Sequence, residues 1–158
     1  MARWLPVAVA EPSNLEARGA MLAGSCLSGI AFLKGLGLVH AISHMIGAEY
    51  DTQHGLTNAI VLPAALRHNA PAMADKIGPM AQAMGLKYNS SEAFYTHVCN
   101  TLDQVGIPRT LIGIGVTPDC AARIAAKSLQ DSAAGTNACI LIVQDIEAVI
   151  AEALGHGW

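Results

Sequence analysis

The chain has 158 residues, enough for one domain with a real core, and carries a formal net charge of −3. Hydrophobic residues make up 53% and charged residues only 13%, against about a quarter charged in ordinary soluble domains. The absence of any basic cluster argues against a nucleic-acid partner. The longest uncharged run, between Arg18 and Lys34, falls short of the roughly 20 apolar residues a spanning helix needs. Pro6, Glu11 and Pro12 interrupt the N-terminus where a secretory signal would be continuously apolar. These features predict a soluble cytoplasmic protein that hides apolar surface against a partner. Cys26, Cys99, Cys120 and Cys139 are too widely spaced for a C-x-x-C pair and are expected to be free, buried thiols.

In chain order, residues 1–12 are expected to form an irregular leader. Ser13 or Asn14 is a plausible N-cap for a helix from Leu15 to about Lys34. Its small residues, among them Gly19, Ala23, Gly24 and Ser28, predict a central helix buried on most sides. Gly35 and Gly37 stop that helix and start the next. The second begins near Leu36 or Leu38 and should end at Gly47. It carries His40 and His44 at i and i+4, hence on one face. Residues 48–53 then form a loop, and His54 opens a third helix that contains Pro63 and ends before Pro71.

A short helix from Ala72 to Met84 is expected to be interrupted at Gly78-Pro79 and closed by Gly85. Asn89-Ser90-Ser91-Glu92 is a capping signature for a helix reaching about Val105. Thr117-Pro118-Asp119 starts another, running to about Asp131. Residues 132–139 read as a loop. The last helix, Gln144 to Leu154, has Ile146, Val149, Ile150 and Leu154 on one stripe. No strand–helix alternation is present, and Gly35-Leu-Gly37 follows a helix rather than a strand, so it is no dinucleotide fingerprint. The fold class is all-α, with residues 13–158 forming one helical domain.

Three of the six histidines fall between positions 40 and 54. Imidazoles at i and i+4 can grip one metal ion from two sides. Position 41 is alanine, so the H-E-x-x-H peptidase chemistry has no general base and is rejected. On spacing alone the cluster remains open between a metal site around His40, His44 and His54, with Glu49 and Asp51 nearby, and ordinary hydrogen-bonded helix histidines. His68, His97 and His156 lie outside it and read as a helix-end, a surface and a tail residue. Met73, Met80 and Met84 read as core fillers.

The run from Gly35 to Pro63, containing His40-Ala-Ile-Ser-His44 and His54-Gly-Leu-Thr-Asn58, resembles the signature of the iron-containing alcohol dehydrogenases. Similar features flank it: Glu16-Ala-Arg18, Ser25 and Gly29 before, and His68-Asn69, Val105-Gly-Ile-Pro108 and Asn137 after. The resemblance covers residues 14–154 and implies the C-terminal, all-helical, metal-binding domain of that family. It implies that His40 and His54 are metal ligands, to Fe²⁺ or alternatively Zn²⁺. By the same match His44 lies beside the metal as a catalytic proton-relay residue. It further implies NAD(P)-linked oxidation of alcohols, or reduction of aldehydes, in the complete enzyme. The family's other two ligands, an aspartate and a histidine four residues later, have no D-x-x-x-H counterpart here, and neither does its nucleotide-binding domain. The expectation is therefore a truncated or separated portion, inactive alone, whose partner is the missing nucleotide-binding domain or another copy met through an apolar face. The alternative is a non-catalytic helical assembly or weak metal-binding module.

Overall fold

The computed structural model describes residues 1–155 and 157–158; the tail histidine at 156 lies outside the described residues. Among the described residues eight α-helices follow one another: α1 (Leu5–Ala10), α2 (Leu15–Phe32), α3 (Leu38–Tyr50), α4 (His54–Asn69), α5 (Ala74–Ala83), α6 (Ser91–Gln104), α7 (Ala121–Ser128) and α8 (Val143–Gly155). Short 3-10 turns link several of them, and there is no strand among the described residues. The fold is all-α, as the sequence predicts.

The main core lies where α3, α4, α7 and α8 meet. Leu38, Ile42, Ile46, Ile60, Val61, Ile124, Ile146 and Ile150 are sealed from solvent there. Each such side chain contributes roughly 1.5–3 kcal/mol relative to exposure. The predicted stripe on α8 is buried as expected. A smaller cluster joins α5 to α6 through Ile77, Ala81 and Phe94, with Met73, Met80 and Met84 packed around it.

Several boundaries differ from the sequence reading. The leader is not irregular throughout: Pro6 sits in the first turn of α1, where its missing N–H costs nothing, and α1 packs along α2. Gly24 on α2 leaves the space that the Met1 side chain fills. The interior of α2 is not buried on most sides: only Ala17 is, while Leu22, Leu27 and Ile30 are 73%, 68% and 63% exposed. Of its small residues, Gly24 and Ser28 meet Met1 at the N-terminus, while Gly19 and Ala23 are exposed. α3 does not stop at Gly47 but continues to Tyr50. The buried Ile46 and the salt bridges from Glu49 to Arg123 and Lys127 on α7 hold that extra turn. Asp51, in the left-handed region at φ 52°, ends it with its N–H on the Gly47 carbonyl.

Pro63 and Pro79 both lie inside unbroken helices. Around Pro79 the buried neighbours Ile77 and Ala81 keep α5 continuous despite the lost hydrogen bond. α7 ends at Ser128, short of Asp131, and the segment after it makes a 3-10 turn at Ala134–Thr136. All four cysteines are free. Cys99 and Cys120 are buried, Cys139 half-buried and Cys26 exposed on α2, so burial of all four does not hold. His97 is half-buried on α6 rather than a surface residue, with its Nε2 enclosed.

Candidate metal centre

The α3–α4 hairpin builds the site. Its loop is three residues, Asp51 to Gln53, and the left-handed Asp51 turns the chain sharply back. Gln53 then caps α4, its side chain accepting from Leu56 N. The short connection folds α4 back against α3, and His40 on α3 meets His54 and Asn58 in the first turns of α4.

The three histidines meet. Ring centroids of His40 and His54 are 5.3 Å apart, those of His40 and His44 5.8 Å, and His44 stacks on His54 at 5.4 Å. Phe32, at the end of α2, packs edge-on against His40 at 5.6 Å. The Nε2 atoms of His40 and His54 converge on one atom, Asn58 Nδ2, at 3.4 and 3.1 Å. An amide NH₂ donates, so both imidazoles present lone pairs to the same small volume. The amide hydrogens stand where an electron-pair acceptor such as a metal ion would stand.

Behind these contacts lies a supporting layer. Ser43 is fully buried and donates from Oγ to Asn58 Oδ1 at 2.5 Å. His54 Nδ1 lies 3.5 Å from the same hydroxyl. Donation from Nδ1 fixes the tautomer that leaves Nε2 free to accept, the usual way a ligand imidazole is oriented from behind. His44 is held differently: its Nδ1 is 3.0 Å from Asp131 Oδ2, on the segment after α7. Burial, then the neighbouring His54 and His44, push the His40 imidazole below its ordinary range. That favours the neutral form a metal ligand requires.

Every residue singled out in the cluster is therefore brought together except Glu49 and Asp51. Glu49 is committed to Arg123 and Lys127, and Asp51 to the helix end. His68, in the last turn of α4, is away from the cluster with its Nε2 3.5 Å from Cys139 Sγ. Among the described residues, no group of three or more His, Cys, Asp or Glu side chains is arranged to share one ion. The residues present fit a metal as two ligands. Sequence reasoning missed the bridging role of Asn58, the buried Ser43 and the partner Asp131. Asn58 follows His54 at i+4, a spacing that could have flagged it, whereas nothing local marks Asp131.

The chain is thus an all-α domain in which one hairpin directs two imidazoles at a common point. The model for the C-terminal part of the Fe-containing alcohol dehydrogenase family matches residues 1–154, leader included; the chain belongs to that family. It is 32% identical to the NAD-dependent methanol dehydrogenase of Bacillus methanolicus, over 96% of this chain and 42% of that protein. It is 34% identical to the 1,3-propanediol dehydrogenase of Klebsiella pneumoniae, over 97% and 41%. Among solved structures, a 1,3-propanediol oxidoreductase superposes with a TM-score of 0.93 at 34% identity, over 97% of this chain and 42% of that one. An alcohol dehydrogenase from Oenococcus oeni gives 0.88 at 31%, over 96% and 42%. The chain thus spans about two fifths of the length of these relatives.

Proposed function

We propose that this chain is the metal-carrying helical part of an alcohol dehydrogenase, working in NAD(P)-linked oxidation of small alcohols or reduction of aldehydes. The remaining ligands and the nucleotide site come from residues outside this sequence. The observation that carries the reading is the convergence of His40 and His54 Nε2 on Asn58 Nδ2. His40 and His54 would hold the ion, Fe²⁺ or alternatively Zn²⁺, in the place of the Asn58 amide hydrogens, with Ser43 orienting the His54 ring from behind. Bound there, the ion supplies Lewis-acid polarisation of an alcohol oxygen. His44, at the edge of the cluster and 36% exposed, takes up the hydroxyl proton and passes it to solvent. Two imidazoles alone hold such an ion far more weakly than a full four-ligand site, so the chain by itself turns over little or nothing. The reading places it in the cytoplasm; no helix of the described residues is long and apolar enough to cross a membrane.

The test is anaerobic Fe²⁺ titration of the purified chain and its variants. His40→Ala and His54→Ala each weaken uptake about 10-fold or more, a loss of the order seen when metal-site groups are removed. His44→Ala leaves uptake nearly unchanged. Equal loss from His44→Ala and His54→Ala would restore the plain i, i+4 pair. Oxidation of a primary alcohol with NAD⁺ by the purified chain would show that it is not inactive alone.

A second reading has its own support. The exposed leucines of α2, with Ile30 and Phe32 also exposed, form an apolar face suited to an assembly module, covered by the nucleotide-binding part or by another copy. Through Phe32 this face is continuous with His40. A well-behaved monomer by sedimentation counts against pairing between copies.

A further inference from the structure

The two histidines at the open edge of the cluster are backed by different chemistry. His54 Nδ1 faces a neutral hydroxyl, Ser43 Oγ, at 3.5 Å. His44 Nδ1 faces a carboxylate oxygen, Asp131 Oδ2, at 3.0 Å. The Asp131 side chain is only 13% exposed. Its orientation is fixed from behind, because Oδ1 accepts from Ala133 N at 2.8 Å. Asp131 N in turn donates to the Ser128 carbonyl at 3.1 Å, tying the residue to the end of α7. One oxygen anchors the carboxylate to its own loop and the other reaches across to α3.

We propose that Asp131 is a positioning residue for His44. It selects the Nδ1–H tautomer and turns the Nε2 lone pair toward the site. An ionised carboxylate only accepts, so the neutral ring meets it as Nδ1–H. Such a partner also remains well paired when the ring gains a proton, because both imidazolium nitrogens are donors. A hydroxyl serves a ring that stays neutral; a carboxylate serves a ring that cycles. The proposal rests on the reading of His44 as the proton carrier. A merely structural Asp131 would need only its Oδ1 contact to Ala133, and asparagine keeps that contact.

The experiment uses the full 158-residue chain, ¹⁵N-labelled and metal-free, at a pH of about 8.5, above the ordinary imidazole range. Long-range ¹H–¹⁵N spectra distinguish protonated from unprotonated ring nitrogens, and His44→Gln assigns the signals. In the wild type His44 shows a protonated Nδ1 and an unprotonated Nε2. In Asp131→Asn, Oδ1 still accepts from Ala133 while the amide donates toward Nδ1, and the two nitrogens exchange roles. A wild-type Nε2–H tautomer, or an Asn variant that keeps the wild-type pattern, overturns the proposal. Should Asp131→Asn fail to fold by circular dichroism, the wild-type tautomer decides alone. The spectra need no metal. A chain that binds no iron therefore undermines the proposed function and leaves the tautomer result standing, and the two failures are distinguishable.

Discussion

Helices α2 and α3 are both built from small and apolar residues, yet they have opposite fates. α3 buries Leu38, Ala41, Ile42, Ser43 and Ile46 against α4 and α7. α2, five residues longer, buries Ala17 alone. The difference lies in how the apolar residues are arranged. On α3 they fall at spacings of three and four, so one face meets the bundle and the other carries His40 and His44. On α2 they are spread around the whole circumference, a pattern that needs cover from several sides. Among the described residues α1 lies along it, and at its end Phe32 meets His40 on α3. Apolar content therefore states how much surface wants burial, and its periodicity states from how many directions the cover must come.

Substitutions that test each helix sharpen this contrast. The largest effect is expected at Ile42, fully buried on α3. Ile42→Ala should lose about 2–5 kcal/mol in urea denaturation, whereas Leu22→Ala on α2 should stay within about 0.5 kcal/mol. Comparable losses would mean that α2 is covered in solution, which sedimentation would then reveal. Next in size is Ser43→Ala. It removes the donor to half-buried Asn58 Oδ1 and the partner of His54 Nδ1, at about 1–3 kcal/mol, and should weaken Fe²⁺ uptake along with stability. Stability falling without any change in uptake would separate this layer from the site.

The smallest effect concerns the end of α3. The hydrogen bonds from Arg123 and Lys127 hold the Glu49 carboxyl down to about 2 from an ordinary 4.5. The folded value is depressed, so the contribution is fully present above the ordinary carboxylate range and is lost as pH falls toward about 2. The pair is surface-exposed and screened by salt, so the effect is slight. Glu49→Gln should flatten the pH dependence of the denaturation midpoint across that window. An unchanged slope would show that the last turn of α3 is held by packing alone.

The same contrast governs what could be read from the amino acids in order. The α3–α4 hairpin is legible because its determinants are local: His40 and His44 at i+4, a helix opening at His54, and Pro71 after its end. The periodicity of α8 was legible for the same reason. The fate of α2 was not, because small residues mark close approach without saying whose. The end of α3 was misplaced at Gly47 because the restraint that extends it, Glu49 to Arg123, spans 74 residues. At the site the pairing of histidines could be anticipated, but not Asp131, whose contact with His44 spans 87 residues and leaves no trace in either neighbourhood.

The three-residue loop Asp51 to Gln53 has a consequence for the order of assembly. The contact between His40 and Asn58 closes over 18 residues, that between His44 and Asp131 over 87. Chain closure at the longer separation costs roughly 1.4 kcal/mol more. Contacts of short separation also form sooner in a folding chain. The paired imidazoles therefore come to face one another while the chain is still collapsing. The carboxylate behind His44 arrives only when α7 docks, so the imidazole cluster is laid down first and its carboxylate backing afterwards.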